Sequence, residues 1–445
     1  MDTFVLDDVL AHLREALEQG DLARAVALIE SLQPADQADL VEGLSNVEQV
    51  ALLSQLAPAD SADVLEEMED GRAAALAERL PLADLADILD EMEADEAADV
   101  LGDLSPELAA EALREMEEPH GIIPLLQYPD DTAGGLMTPA VIALRRHWRA
   151  QRALEELRRI GPDADSAYYL FVTDRNGILI GVVRLRDLVV APPETVVEAM
   201  MDPSVVSVPV TADQEDCART LSRYGFLALP VVDELGRLAG VITADDLIEV
   251  AEDEATEDMY RMVGISGEEQ VFSPVRSSVL KRLPWLAINM LTLFVAITVV
   301  DAFQVVIAGT VALATFLPLV SGQGGNAGSQ TATVIIRGLA LGEVDLGNGL
   351  RALGKELVAS LVNGALIGLG TGLVVYAWKA DWAISAALAL AMVLNFLVAA
   401  LAGVLVPLGL RLMKIDPALA SAAFVTALTD TLGFLFFLGI ASMLL

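Results

Sequence analysis

Cysteine and histidine, on which many metal sites and catalytic sites depend, are nearly absent from this sequence. Its 445 residues include one cysteine, Cys217, and three histidines, His12, His120 and His147. A single cysteine excludes an intramolecular disulfide and gives no support for a thiolate metal site. The N-terminal stretch is acidic and amphipathic, with no basic region before an apolar run, so we expect no cleaved signal peptide and a cytosolic first half.

Basic residues are also scarce, and their scarcity excludes a class of partners. The chain has 27 Lys and Arg against 65 Asp and Glu, a net charge of −38, which repels phosphate and argues against nucleic acid. Divalent cations are natural counter-ions for so many carboxylates, although an acidic surface can also serve solubility alone. Residues 271–445 hold only 9 of the basic and 7 of the acidic residues. We therefore predict an acidic soluble part joined to a membrane part.

A repeat of 24 residues occupies the first third of the chain. Residues 34–44, 58–68, 82–92 and 106–116 read PADQADLVEGL, PADSADVLEEM, LADLADILDEM and PELAAEALREM, with related segments midway between them. Acids followed by apolar residues at helical spacing favour short helices. Such helices need neighbours to bury their apolar faces, so residues 1–128 are predicted to form an all-α helical-repeat superhelix. A solvated acidic face is the alternative to a functional role for these acids.

Two α/β modules are predicted at residues 129–250. The segments FVTDRNGILIGVVRLRDL and VVDELGRLAGVITADDL match each other, and each reads as strand, turn, strand and helix. This pattern resembles a tandem pair of CBS domains, in which an adenine nucleotide such as ATP can lie in the cleft between modules. A cleft that is only a structural interface is the alternative. The positions that match a nucleotide site are Tyr169, Arg186, Asp187 and Phe226.

Long apolar runs fill residues 281–445. A membrane helix needs about 20 apolar residues, and the runs predict an all-α transmembrane domain of five helices. The second run is too long for a plain helix, and SGQGGNAGSQ (321–330) is predicted to break it. The charge-free stretches are 283–300, 302–336, 357–378, 382–410, 417–429 and 431–445.

Basic residues indicate the orientation of these helices. Eight of the nine basic residues in 271–445 flank the predicted helices on one side, and Lys379 alone lies on the other. Because basic loops stay in the cytosol, the acidic half is predicted to be cytoplasmic and Leu445 to lie outside. We expect a multi-pass protein of the inner (plasma) membrane.

Asp430 is the only charge deep within a predicted membrane helix. A lone carboxylate there is costly unless water or a cation solvates it, so Asp430 is a functional candidate, with an internally hydrogen-bonded carboxyl as the alternative. A broken second helix could offer carbonyl oxygens and the amides of Asn326 and Gln330 to an ion, or it could be a packing kink. Asn395 is a weaker pore candidate. Oxygen ligands of this kind suit a hard cation such as Mg²⁺.

Four phrases carry a resemblance to a known family. They are YPDDTAGGLMT (128–138), EDEATEDMYRMVGI (252–265), PLVSGQGGNAGSQTATVIIRGLALGEV (318–344) and IDPALASAAFVTALTDTLGF (415–434). With the order of domains, they make essentially the whole chain similar to the MgtE family of magnesium channels and transporters. The resemblance implies a homodimer with a pore on its two-fold axis and a connecting plug helix at residues 251–280. It also implies that Asp430 is the selectivity carboxylate and that Asn326 and Gly325 belong to the pore signature.

The resemblance further implies a cytosolic Mg²⁺ sensor, in which bound Mg²⁺ links the repeat, the second module and the plug and holds the pore shut. A helix over 247–270 is expected to run straight into the first membrane helix and to transmit this motion. Clustered carboxylates repel one another until a cation neutralises them, which supports such coupling independently. The family often has an acid where this chain has Gly225, so one ligand is expected to be missing. The positions that match sensor ligands are Asp90, Asp213, Glu215, Asp246, Glu249, Glu254, Glu257, Asp258 and Asp416.

The predicted function is therefore a Mg²⁺-selective channel or transporter, not an enzyme, that cytosolic Mg²⁺ closes. One alternative is a CBS-regulated secondary transporter of another substrate that uses Asp430 as a proton or cation site. Another is a membrane hydrolase, against which the location of all three histidines in the soluble half argues. A sensor without transport, in which Asp430 is structural, is the third.

Overall fold

A computed structural model describes residues 3–139, 141–160, 169–265, 269, 271, 273–419 and 421–445. The chain forms two compact units, Met1–Ala251 and Glu252–Leu445. The first unit contains a helical repeat and two α/β modules, and the described part of the second unit is helical. The predicted fold class of each region is confirmed.

Short helices fill the first unit up to residue 115. Proline begins three of them, at Pro34, Pro58 and Pro106, where its fixed φ suits the first helical position and its missing N–H is not needed. Alternate helices start 24 residues apart from α3 onward, as the sequence repeat predicts. Their apolar side chains form one core that continues into the second α/β module. The helices are α1 (Thr3–Glu18), α2 (Leu22–Ile29), α3 (Pro34–Glu42), α4 (Asn46–Leu53), α5 (Pro58–Glu66), α6 (Asp70–Ala77), α7 (Leu82–Glu91), α8 (Ala94–Asp103) and α9 (Pro106–Glu115), followed by a 3₁₀ turn at Leu125–Gln127.

Each α/β module contains a small sheet of three described strands. In both sheets the first strand is parallel to the second, and the third is antiparallel to it. The strands are β1 (Ala143–Arg145), β2 (Tyr169–Thr173), β3 (Leu179–Arg184), β4 (Val208–Pro209), β5 (Ala228–Val232) and β6 (Leu238–Thr243). The helices are α10 (Ala150–Ile160), α11 (Leu185–Val190), α12 (Val197–Met200), α13 (Gln214–Tyr224) and α14 (Ala244–Met262).

The segment before each module packs on the sheet of the other module. A Cβ added at Gly240 in β6 would lie 2.8 Å from the Sδ of Met137, and one at Gly181 in β3 would lie 2.7 Å from the Sδ of Met201. Only glycine leaves room for these methionines, because real Cβ contacts are longer. The matching glycines of the two sequence copies therefore hold the modules together as a pair.

The helix α14 ends at Met262, so the expected continuous helix over 247–270 is wrong. Gly264 has a φ of +79°, and the N–H of Ile265 donates to the carbonyl of Tyr260 at 2.9 Å. This is the hydrogen-bond pattern with which a left-handed glycine ends a helix. The chain therefore turns before the first membrane helix begins.

Gly264 packs directly on Trp285 of the next helix. A Cβ at this position would lie 1.7 Å from Trp285 Cδ1, so only glycine fits. The structure describes only part of the predicted plug segment, 251–280. Residues 266–268, 270 and 272 lie outside the described residues.

Five long helices, one short helix and the C-terminal part of α14 make up the described part of the second unit. Four of the long helices are long and apolar enough to cross a membrane, namely α15, α18, α19 and, from Ala423, α20. The fifth, α17, has 29 residues but is not among these candidate spans, so its crossing of the membrane stays a prediction. The helices are α15 (Val275–Ala302), α16 (Gln304–Gly309), α17 (Ala312–Ala340), α18 (Gly349–Lys379), α19 (Trp382–Leu412) and α20 (Ser421–Leu444).

The glycine-rich segment does not break the second long helix, contrary to the prediction. Residues 321–330 lie inside α17, and the interruption comes earlier, at Thr310 between α16 and α17. The glycines instead permit close packing: a Cβ at Gly328 would lie 2.3 Å from Val425 Cγ1 in α20. The carbonyl groups of this segment belong to a helix, so the predicted free backbone ligands are not found there.

Candidate metal-ion sites

Asp430 lies in α20 and is buried against α17. Its side chain is 4% exposed, and its Oδ1 accepts a hydrogen bond of 2.6 Å from the hydroxyl of Ser321. The charge-free stretches that form the predicted spans contain no basic side chain to neutralise Asp430. Ser321 is a site residue that the sequence analysis missed, because only packing shows which side of α17 faces α20.

Asn326 and Gln330 lie one helical turn apart and are exposed on α17. Helical geometry places them on the side opposite Ser321. Gly325 lies near α20, where a Cβ would be 3.7 Å from Thr426 Cγ2. Within one chain, Ser321 and its partner Asp430 therefore lie on one side of α17, and the two amides lie on the other.

Asn395 of α19 is fully buried. Its Nδ2 donates to the carbonyl oxygen of Val320 at 3.0 Å, and its Oδ1 has no hydrogen-bond partner among the described residues. Cβ atoms at Gly324 and Gly433 would lie 2.1 Å and 2.6 Å from Nδ2. In this structure its amide is inserted between three helices and joins their packing, and the role of Asn395 as a pore residue stays a prediction.

Asp246 in the second module lies near a carboxylate that the sequence analysis missed, Asp95 of α8. Burial and the charge of Asp246 raise the pKa of Asp95 to about 8. Asp95 is 6% exposed, and its Oδ1 lacks a hydrogen-bond partner in the described part of the chain. Burial also raises the pKa of Asp246, although the N–H and hydroxyl of Thr243 both donate to its Oδ2, at 3.0 and 2.5 Å. Asp95 therefore keeps a proton near neutral pH, and a divalent cation bound by the pair would displace that proton and neutralise both carboxylates.

Asp90 of α7 is used as a cap in this structure. Its two carboxylate oxygens accept the backbone N–H groups of Glu117 and Glu118 at 2.7 and 3.0 Å. Glu66, one repeat earlier, accepts the N–H of Glu93 at 2.6 Å in the same way. Capping therefore accounts for an acid at this repeat position, and the role of Asp90 as a metal ligand stays a prediction.

Asp213 and Glu215 lie at the start of α13. Asp213 caps the helix by accepting the N–H of Glu215 at 3.0 Å, and Glu215 pairs with Arg219 at 3.0 Å. Asp213 and Glu249 are both exposed. Their roles as ligands stay predictions as well.

Arg261 joins two of the predicted ligands in the second unit. Its guanidinium forms ion pairs with Glu257 on α14 and with Asp416 before α20, and the three side chains are between 23% and 30% exposed. Met262 packs beside them on the apolar cluster that contains Ala418. The end of α14 is thus attached to the loop before α20 by a protein cation. The other predicted plug ligands, Glu254 and Asp258, lie on α14 as well.

The predicted ligands do not converge into one complete site. Within the described ranges, no three Asp, Glu, His or Cys side chains come together closely enough to hold a metal ion. Three of them belong to two smaller groups. Asp246 forms the Asp95–Asp246 pair, and Glu257 and Asp416 belong to the Arg261 cluster, which we define as Arg261 with these two acids.

The candidate nucleotide residues are partly brought together. The rings of Tyr169 and Phe226 meet edge to face at 6.4 Å, and Tyr224 stacks on Phe226 at 5.4 Å. Arg186 and Asp187 are exposed on α11. An aromatic surface suited to a purine therefore exists between the modules.

Gly225 ends α13 in the left-handed conformation, with a φ of +64°. Glycine adopts this conformation without the steric cost that a Cβ adds. A Cβ would meet no atom within 4 Å, so backbone geometry, rather than lack of space, favours glycine where the family often has an acid.

Comparison with protein-family models matches three parts of the chain. The model for divalent cation transporters, MgtE, matches residues 317–440; the MgtE intracellular N domain matches 32–131; and the CBS domain matches 133–194 and 197–253.

Two solved structures resemble the first unit. One is the cytosolic domain of the Mg²⁺ channel MgtE in complex with ATP, with 37% identity, a TM-score of 0.52 and coverage of 54% of this chain and 99% of that chain. The other is the soluble part of a magnesium transporter, with 31% identity, a TM-score of 0.51 and coverage of 56% and 99%.

Curated relatives cover most of the chain. The magnesium transporter MgtE of Thermus thermophilus is 40% identical over 323 residues, which are 72% of this chain and 72% of that protein. The proteins of the same name from Enterococcus faecalis and Bacillus subtilis are 35% and 33% identical, over 74% of this chain and 72% and 73% of theirs. This chain therefore belongs to the MgtE family of divalent cation transporters.

Proposed function

We propose that this chain forms a Mg²⁺-selective channel in which Asp430 is the selectivity carboxylate. The observation that carries the proposal is the burial of Asp430 in α20, among predicted spans without a basic side chain. Mg²⁺ gives up its waters reluctantly, so a single carboxylate that faces a hydrated ion can attract it without replacing its whole shell. The relatives that are named magnesium transporters support this choice of ion.

The test is Mg²⁺ uptake into liposomes that contain the purified protein and a Mg²⁺-sensitive dye. We expect Asp430→Ala to abolish uptake, because it removes the only deep charge of the spans. Asp301→Ala is the matched control, since Asp301 is exposed at the end of α15, and it should keep uptake near wild type. Normal uptake by Asp430→Ala, in protein that assembles like wild type, would rule out this assignment.

We also propose that cytosolic Mg²⁺ closes the channel and that the Asp95–Asp246 pair is part of the sensor. Burial raises the pKa values of Asp95 and the half-buried Asp246, which repel each other once both are ionised, and a divalent cation removes that repulsion. Limited proteolysis across a millimolar Mg²⁺ titration tests this idea: protection should increase with Mg²⁺, and an unchanged cleavage pattern would contradict it.

We further propose a homodimer in the inner membrane, with the first unit in the cytosol and Leu445 outside. The exposed amides of Asn326 and Gln330, on the side of α17 away from Asp430, are suited to face a second copy. The side chains Arg337, Arg351 and Arg411 lie near helix ends that share one side when α17 crosses the membrane. Cross-linking through Asn326→Cys and accessibility of a tag after Leu445 test these two points.

ATP is the nucleotide that we propose for the cleft between the modules, on the basis of the Tyr169–Phe226 ring contact and the ATP complex of a relative. Arg186 and Asp187 remain candidates for its phosphate and ribose groups. Calorimetric titration of the purified protein with ATP tests the proposal, and the absence of heat at millimolar ATP would contradict it.

A further inference from the structure

Two neighbouring residues of α17 hold hydrogen bonds to two different helices. The carbonyl oxygen of Val320 accepts from Nδ2 of Asn395 in α19 at 3.0 Å. The hydroxyl of Ser321 donates to Oδ1 of Asp430 in α20 at 2.6 Å. The selectivity carboxylate is thus connected to α19 through one short stretch of α17.

Asn395 lies at a close approach of the three helices. Cβ atoms at Gly324 in α17 and Gly433 in α20 would both overlap its amide nitrogen, at 2.1 and 2.6 Å. Gly324 follows Ser321 by three residues, and Gly433 follows Asp430 by three residues. Because residues three apart lie on one face of a helix, Asn395 occupies the turn adjacent to the Ser321–Asp430 hydrogen bond on both helices. A shift of either helix would drive its backbone against this buried amide.

A carboxylate has two oxygens, and the hydroxyl of Ser321 engages one of them. Without that donor, Asp430 would be free to rotate about its side-chain bonds, and an ion would have to fix the rotamer itself at an entropic cost. With the donor in place, Oδ1 is held and the orientation of Oδ2 follows from it. The energetic benefit for the ion is preorganisation of its ligand.

We propose that Ser321 and Asn395 are positioning residues for ion selection: Ser321 orients the carboxylate of Asp430, and Asn395 fixes the register of α17 and α20 that makes this hydrogen bond possible. The proposal rests on the proposed function, because it assumes that Asp430 meets the permeating ion. It assigns to Asn395 a role in the framework of the pore and not in its lining.

The experiment measures initial Mg²⁺ uptake into Mg²⁺-free liposomes against external Mg²⁺, for Ser321→Ala, Ser321→Thr and Asn395→Ala. Loss of a hydrogen bond to a charged group is expected to raise the half-saturating Mg²⁺ concentration of Ser321→Ala by about tenfold, with the maximal rate within about twofold of wild type. Ser321→Thr keeps the hydroxyl and should restore the wild-type value. Asn395→Ala should shift half-saturation in the same direction, since it removes the side chain that fixes the register of α17 and α20.

A purely structural role would give a different pattern, in which fewer assembled channels lower the maximal rate and leave half-saturation unchanged. That pattern in Ser321→Ala, or equal shifts in Ser321→Ala and Ser321→Thr, would overturn the proposal. If Ser321→Ala does not assemble, Ser321→Cys takes its place, because a thiol is a weak donor of similar size; a wild-type half-saturation would again overturn the idea. Asp430→Ala runs in parallel: if it conducts normally, the proposed function fails, and if only the Ser321 variants behave as wild type, this inference alone fails.

Discussion

The two units hold their predicted Mg²⁺ ligands under opposite charge conditions. In the first unit, Asp95 is buried near the half-buried Asp246, and the pKa values of both are raised. In the second unit, Glu257 and Asp416 share the guanidinium of Arg261. The carboxyl groups of the first unit therefore depend on a proton or an added cation for neutralisation, whereas those of the second are already neutralised by the protein. Mg²⁺ should stabilise the first arrangement strongly and the second only where it can displace or supplement Arg261.

Removing the charge of Asp95 should have the largest effect on this contrast. Asp95→Asn removes the cost of burying an ionised carboxylate and its repulsion with Asp246, so the local stability of α8 without Mg²⁺ at pH 8 and above should increase, by an amount on the order of 5 kcal/mol at most. Hydrogen-exchange protection factors of α8 amides in the full-length protein measure this change. Asp103→Asn, an exposed change on the same helix, is the control and should have little effect. Equal protection of wild type and Asp95→Asn would contradict an uncompensated pair.

A lower pH should stabilise the first unit, as Asp95→Asn does, because it also removes the charge of Asp95. Because the pKa of Asp95 is raised to about 8 in the folded protein, the folded state keeps a proton that the unfolded state releases near pH 4. Stability without Mg²⁺ should therefore fall as pH rises through this window and recover by about 2 to 3 kcal/mol between pH 9 and pH 6. Protection factors of α8 across this range, with and without Mg²⁺, measure the effect. A response of the same size in Asp95→Asn would assign the titration to another group.

Removing the protein cation should make the second unit resemble the first. Arg261→Gln leaves Glu257 and Asp416 without their shared partner, so the end of α14 should lose about 1 to 2 kcal/mol of local stability without Mg²⁺, a modest value because the groups are partly exposed. Millimolar Mg²⁺ should restore the loss, and its effect on exchange of residues 256–262 should exceed that in wild type. Arg276→Gln, at an exposed position of α15, is the matched control. An equal response to Mg²⁺ in wild type and Arg261→Gln would show that Arg261 does not compete with the ion.

Periodicity predicted much of the fold, because the spacing of apolar residues shows which face of a helix or strand is buried. The 24-residue repeat and the matching copies of the α/β module are examples. The glycine-rich part of α17 was misread because glycine marks both helix breaks and close helix contacts, and only the neighbouring Val425 and Asn395 distinguish the two. The end of α14 was misplaced for a related reason: Gly264 was not recognised as its cap.

Residues that depend on a neighbour from a distant segment could not be predicted in this way. Asp95 is the second residue of α8, and the second residue of α4, Val47, is 80% exposed. Nothing in the repeat shows that position 95 is covered. The roles of Arg261 and Ser321 likewise follow from partners that lie 155 and 109 residues away in sequence. Two acids in the first turn of α8 were the one local signal that could have drawn attention to Asp95.

The contact between Gly264 and Trp285 gives the protein a natural optical reporter. The indole of Trp285 is packed against a glycine backbone just after α14, and its emission will change if that backbone withdraws and water or lipid takes its place. The sequence contains only four tryptophans. A variant that retains Trp285 and has phenylalanine at the other three positions would report on movement of this junction in unlabelled protein, in real time and in a native-like bilayer.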